Sequence, residues 1–293
     1  MPHSLSDSLT RNAGCVSVIS RRLDRQCFTR DDSSVDAEPP EAKDIGSLMR
    51  GFLAARCSID WLPDDFPSME DLQMRLPFTI DQFLDVFSRY NVAVWPAQWG
   101  LAAAGVGAVV LAVRDRPNDH RVVSLILALL WLWMAAAYHL GFFVAVNPVA
   151  IAFGAAFAIQ GVLFAWLAFR GPRASYRPRS PAAAVIGAVF MLYALVLYPA
   201  LGYVLGHRYP AAPTFGVPCP TTIFTLGLLV WASESVPRWL LVVPLAWSAV
   251  ATSAAVNLGM MEDFGLSAAA VVSVGWLVFG WRRPSTQRGA VIA

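Results

Sequence analysis

Seven apolar windows follow one another between residues 94 and 281, and they constrain the fold more than any other feature of the chain. They are Val94–Val113, Val122–Phe143, Val149–Phe169, Ala182–Leu205, Phe215–Ser233, Trp239–Leu258 and Phe264–Trp281. A helix that crosses a bilayer needs about 20 mainly apolar residues. Five of the windows meet that length comfortably. The fifth and seventh in order are shorter, and the fifth carries Pro218 and Pro220 near its start. The pattern predicts an all-α fold: a polytopic transmembrane helix bundle of seven spans, with six as the alternative. Composition agrees, because 57% of the residues are hydrophobic, 14% are charged and the mean hydropathy is +0.53. Soluble domains carry about 25% charged residues, so an ordinary water-soluble enzyme is excluded.

The charges give an orientation. Residues 1–91 hold 10 basic and 15 acidic side chains, whereas residues 92–293 hold 12 and 5. If seven spans alternate, one side receives 114–121, 170–181, 234–238 and the tail after 281. Those pieces contain 11 of the 12 arginines after residue 91. The other side receives Arg208, with Glu262 and Asp263. The positive-inside rule therefore puts the C-terminus in the cytoplasm and the segment before the first span outside. Trp95, Trp99, Trp239 and Trp281 stand near window ends, as belt residues do. Lys43 is the one lysine among the 22 basic residues, a composition of GC-rich bacterial genomes, so the expected location is the bacterial cytoplasmic (inner) membrane. The lipid bilayer is the expected partner. No basic patch reaches the density of a phosphate footprint, so nucleic acid is not one.

Residues 1–73 contain no long apolar run, no signal peptide, and an acidic, Pro-bearing stretch (Thr29–Asp44) that reads as disorder. Translation is expected to begin at Met74, which leaves a short tail to cross the membrane. Residues 74–91 form an amphipathic, interfacial helix. Thr79 and Gln82 fit a capping box, and Ile80, Phe83, Leu84 and Phe87 share one face. The transmembrane helical domain is 92–281 and the cytoplasmic tail 282–293. Small residues crowd the first span (Gly100, Ala104, Gly105, Gly107) and the third (Gly154, Ala158), a spacing that permits close helix contact.

Polar side chains within a bilayer are functional candidates by default. Gln160 lies in the middle of the third span and Asn257 at the end of the sixth. On the outer side, His139, Asn147, His207, Tyr209, Cys219, Thr221, Thr222 and Glu262 come to one level and form a candidate ligand-binding layer. Each also has a structural reading. His139 suits an interhelical hydrogen bond, Gln160 a bridge between two helices and Cys219 a small apolar filler. Glu262 and Asp263 suit solvated loop charges. No metal-ligand spacing, dinucleotide fingerprint, Walker loop or GxSxG is present. No cofactor is implied, the metal question stays open, and a non-enzymatic role is favoured.

Three stretches carry a resemblance: LPFTIDQFLDVFSRYNVAVWPAQ (Leu76–Gln98), LLWLWMAAAYHLGFF (Leu129–Phe143) with Asn147-Pro148, and GHRYPAAPTFGVPCPTTIFTLG (Gly206–Gly227). Together they resemble a bacterial multi-pass membrane family, domain-of-unknown-function family 6064, over roughly residues 76–280. The resemblance implies an integral membrane protein of undetermined activity and supplies no catalytic residues. Three functions remain open. The first is small-molecule or ion binding or transport at the outer polar layer. The second is a membrane-embedded enzyme or metal/redox protein using His139, His207 and Cys219. The third is a structural or accessory subunit.

Overall fold

The computed structural model describes residues 77–172, 175–233 and 235–279. Expectations for residues 1–73, the start at Met74, Arg173, Trp281 and the tail 282–293 lie outside these. Every regular element among the described residues is helical.

The first helix, α1 (Ile80–Ala93), starts as its sequence dictates. Thr79 Oγ1 accepts from the Gln82 N–H at 3.3 Å, and Gln82 Oε1 accepts from the Thr79 N–H at 2.9 Å. This reciprocal cap satisfies two N–H groups that have no partner within the helix. Phe83, Val86, Phe87 and Tyr90 then lie on one buried face. They pack on Tyr138, Phe143, Ala150, Val217, Ala255 and Met260. All six belong to one end of the helices that follow, so α1 covers that end of the bundle.

Those helices are α2 (Ala97–Arg114), α3 (Asp119–Trp133, running on to Ala145), α4 (Ala150–Phe169), α5 (Pro181–Val204), α6 (Pro218–Trp231), α7 (Val242–Leu258, preceded by the turn Arg238–Leu241) and α8 (Phe264–Phe279). Among the described residues, five segments are long and apolar enough to cross a membrane: Ala97–Arg114, Asp119–Ala145, Ala150–Phe169, Pro181–Val204 and Arg238–Leu258. Their outward faces are apolar as well. Val106, Val110 and Val113 on α2, and Val185, Val189 and Leu192 on α5, are all exposed. Contiguous exposed apolar stripes of this kind suit lipid, not water.

The short helix α6 is the interior one, with 12 of its 14 residues buried. At 1.5 Å per residue it is only about 21 Å long, less than the roughly 30 Å of a hydrocarbon core. Pro213 and Phe215–Val217 are buried at its N-terminal end and extend it. Non-helical backbone at such a level is tolerated where protein covers it. The turn into the helix is made at Gly216, whose φ of +103° excludes side chains, and whose N–H donates to Thr221 Oγ1 at 3.1 Å. Behind it, α5 crosses α6 closely. A Cβ on Gly187 would lie 2.3 Å from the Trp231 ring and 2.7 Å from the Gly227 carbonyl oxygen. In the first span, by contrast, Cβ atoms on Gly100 or Gly107 would meet open space. Gly105 of that span and Gly154 of the third are packed closely, with Cβ atoms that would lie 3.1 Å from the Phe215 ring and 3.0 Å from Leu140, so the small-residue spacing marked some contacts and not the closer one between α5 and α6.

Two helices contain π-helical turns, Met134–Leu140 in α3 and Tyr193–Leu197 in α5. The second has an evident cause. Pro199 has no N–H to give to the carbonyl of Leu195, and its ring would crowd that oxygen, so the preceding turn widens. These turns set the direction of His139 and of Tyr198, the residue that follows the second of them.

At the end opposite α1, Arg114 closes α2 and pairs with Asp119, the first residue of α3, through Nη2–Oδ1 at 2.6 Å. The Tyr176 hydroxyl is 2.9 Å from Ser124 Oγ.

Candidate functional site

Three connections meet under α1: the turn after α3, the segment 205–217 between α5 and α6, and the turn between α7 and α8. Asn91 ties them to α1. Its Nδ2 donates to the carbonyls of Pro210 and Ala212, both at 2.7 Å, and its Oδ1 accepts from Thr214 Oγ1 at 2.8 Å. Gln98 Nε2 donates to the Asn91 carbonyl at 2.8 Å. Asn91 is fully buried. One amide thus satisfies two backbone acceptors more than 100 residues away in the chain, in a segment with little regular structure of its own.

The α7–α8 turn brings in two acids. Gly259, at φ +72°, ends α7, and Met261–Asp263 form a single tight turn into α8. Glu262 and Asp263 therefore stand at the N-terminus of α8, where its partial positive charge favours carboxylates. Neither is a solvated loop charge: their exposures are 0% and 4%. The reason is that other helices supply partners. His207 Nδ1 hydrogen-bonds Glu262 Oε1 at 2.6 Å. The Tyr193 hydroxyl donates to the Glu262 carbonyl at 2.8 Å. The Tyr198 hydroxyl donates to Asp263 Oδ1, and the Cys219 thiol lies against the same carboxyl. Glu262 Oε2 is buried without a hydrogen-bond donor. Burial pushes the Asp263 carboxyl up to about 6; Tyr198 and Cys219 oppose the rise, neighbouring Glu262 adds to it and His207 lowers it.

Beside Asp263 lies a cavity of about 320 Å³. Its walls are mostly aromatic: Phe78, Phe83 and Phe87 from α1 and the residues before it, Tyr138 and Phe143 from α3, Phe153 from α4 and Trp247 from α7. Val250, Ala251 and Ala254 of α7 also line it. Polar groups are few: Asp263, Cys219, Tyr198, Asn147 and Ser253. An apolar enclosure with a small number of convergent polar groups is the usual form of a small-molecule site.

The sequence candidates divide accordingly. His207 and Glu262 meet, and Cys219 joins Asp263 next to them. Asn147 lines the cavity, though its Oδ1 accepts locally from the Val149 N–H at 3.1 Å. His139 is fully buried, but it joins no polar group. Neither ring nitrogen has a hydrogen-bond partner, and its ring is surrounded by Tyr138, Phe143, Phe153, Phe157 and Trp247 at centroid distances of 4.6–6.0 Å. Tyr209 packs at the surface on Trp95, 6.2 Å between centroids. Thr221 holds the Gly216 turn, and Thr222 Oγ1 is buried without a partner. Gln160 bridges two helices, donating to the Leu240 carbonyl at 2.9 Å. Asn257 bonds only within α7, to the Ser253 carbonyl at 2.7 Å. Among the described residues, no group of three or more His, Cys, Asp or Glu side chains is placed to hold a metal ion. The residues that sequence reasoning missed are Asn91, Tyr198 and the aromatic walls. The amphipathic face of α1 was the one available signal for the last of these.

Residues 80–288 match the DUF6064 family, described as a family of unknown function, and the chain belongs to it. Neither a curated protein nor a solved structure matches the chain.

Proposed function

We propose that this member of the DUF6064 family is a membrane-embedded small-molecule binding protein whose ligand occupies the cavity between α1 and α7. The observation that carries the reading is the cavity's composition: about 320 Å³ walled by aromatic rings, with Asp263, Cys219 and Tyr198 gathered at one wall. Burial of an apolar body of that size supplies affinity at roughly 25 cal/mol per Å², and the polar wall fixes orientation. Binding is favoured over transport, because the polar groups lie at one end of the bundle and Gln160, at mid-depth, is occupied in a helix bridge. The same reading takes α2–α8 as seven spans, with α6 extended by the buried residues 213–217. It puts the α1 end outside the cytoplasmic membrane of a bacterium and the arginine-rich loops inside.

Ala254→Trp tests the site. Ala254 lines the cavity and an indole there takes up its space, so saturable binding of the neutral probe N-phenyl-1-naphthylamine to the protein in nanodiscs is expected to fall at least about tenfold, with the thermal midpoint unchanged. Undiminished saturable binding contradicts the reading. Orientation is tested separately. An impermeant maleimide added to intact cells is expected to label His207→Cys and to spare Arg179→Cys, in a background without native cysteines. The reverse pattern would invert the assignment.

A further inference from the structure

The ligand's chemical class follows from the charges around the cavity, an argument that rests on the reading of the cavity as a ligand site. Two carboxyl groups are buried within one turn: Asp263 lines the cavity, and Glu262, outside its lining, pairs with the His207 imidazole. One oxygen of Glu262 has no donor. Among the described residues, no arginine, lysine or histidine lines the cavity. Buried carboxylates without an equal cationic charge are expensive to hold. The rest of the lining is largely aromatic, with rings from Phe83, Phe87, Tyr138, Phe153 and Trp247. Aromatic rings attract a cation through their quadrupole, most strongly where water is excluded. A hydrated metal ion does not suit this enclosure, since hard cations take six or more oxygen ligands and the walls offer rings instead.

We infer that the cavity binds a lipophilic organic cation, an alkyl- or aryl-ammonium, with the ammonium group at the Asp263 carboxylate and the apolar body among the aromatic rings. The chemistry is shared by a free organic cation and by the ammonium headgroup of a lipid.

Phenyltrimethylammonium and tert-butylbenzene test this, because they have nearly the same shape and differ by a charged nitrogen in place of a carbon. Binding is measured by equilibrium dialysis against the protein in phosphatidylglycerol nanodiscs, with empty nanodiscs subtracted. The wild-type protein is expected to bind the cation at least about tenfold more tightly than the neutral compound. Asp263→Asn is expected to abolish that preference. Equal or weaker binding of the cation by the wild-type protein, with saturable binding of tert-butylbenzene, overturns the inference and leaves the ligand site standing. Saturable binding of neither compound overturns both. The comparison within the wild-type protein does not depend on any variant folding. Adding phosphatidylethanolamine separates the two sources: a weakened apparent affinity identifies competition by a headgroup ammonium, and an unchanged affinity identifies a free cation. Both of these outcomes presuppose and support the cation site.

Discussion

Asn91→Ala is expected to release α1 and the 206–217 segment from the bundle. The substitution removes two donated bonds and one accepted bond of 2.7–2.8 Å, and a longer accepted bond from Gln98 Nε2 at 3.4 Å. It leaves the carbonyls of Pro210 and Ala212 and the Thr214 hydroxyl without that partner. Pro210 is exposed and Ala212 and Thr214 are half-buried, so water takes over part of what is lost; at about 1 kcal/mol per hydrogen bond, a loss on the order of 2–3 kcal/mol is expected. Aspartate at the same position is informative too, since it keeps the acceptor for Thr214 but presents oxygen to the two carbonyls. The readouts are the midpoint of unfolding in mixed micelles and the rate of proteolysis between residues 206 and 217. Arg89→Ala is the control on the same helix. Arg89 is half-exposed and pairs with Asp85 at 3.0 Å one turn away, and such surface pairs contribute about 0.3–0.5 kcal/mol. An Asn91→Ala protein as stable and as protease-resistant as Arg89→Ala would remove Asn91 from its role.

Gly187→Leu is expected to prevent assembly of the bundle interior. Even the first carbon of a side chain would lie 2.3 Å from the Trp231 ring and 2.7 Å from the Gly227 oxygen. The ring has little room to turn away, because Trp231 Nε1 donates to the Ala184 carbonyl at 3.2 Å on the same face. The oxygen belongs to the backbone of α6, which is buried on nearly every side. Overpacking of a close-packed interior commonly costs 1–3 kcal/mol. A clash with backbone on the central helix should exceed that and appear as loss of monodisperse protein after extraction. Gly107→Leu, at a position where a Cβ meets nothing within 4 Å, should be tolerated. Equal yields from the two variants would contradict the close approach of α5 and α6.

The contrast between these two glycines shows what the sequence could reveal. Hydropathy located all five long apolar helices, because lipid-facing stripes must be apolar whatever lies behind them. It under-described α6, since a helix surrounded by protein need not be 20 residues long and can begin inside a buried turn. The capping box of α1 was legible because both partners lie within four residues. The role of Asn91 was not, because its partners are backbone carbonyls of a distant segment, and a carbonyl leaves no trace in residue type. Glu262 and Asp263 read as loop charges for the same reason: their burial depends on His207, Tyr198 and Cys219, which three other parts of the chain deliver. The π-helical turn at Met134–Leu140 aims His139 among aromatic rings. Level along the span therefore did not reveal its neighbours.

The central claim is that a small molecule occupies the space between α1 and α7, and site-resolved photolabelling measures that most directly. Protein in nanodiscs is irradiated with 3-trifluoromethyl-3-phenyldiazirine, a neutral aryl probe, with and without excess tert-butylbenzene, and the modified residues are mapped by mass spectrometry. The account predicts labelling at Phe78–Phe87, Val149–Phe153 and Trp247–Ala254 that tert-butylbenzene suppresses. Labelling of the exposed stripes, such as Val106, Val110 and Val113, should be indifferent to the competitor. Labelling confined to those exposed stripes, or cavity labelling that no competitor reduces, would contradict it.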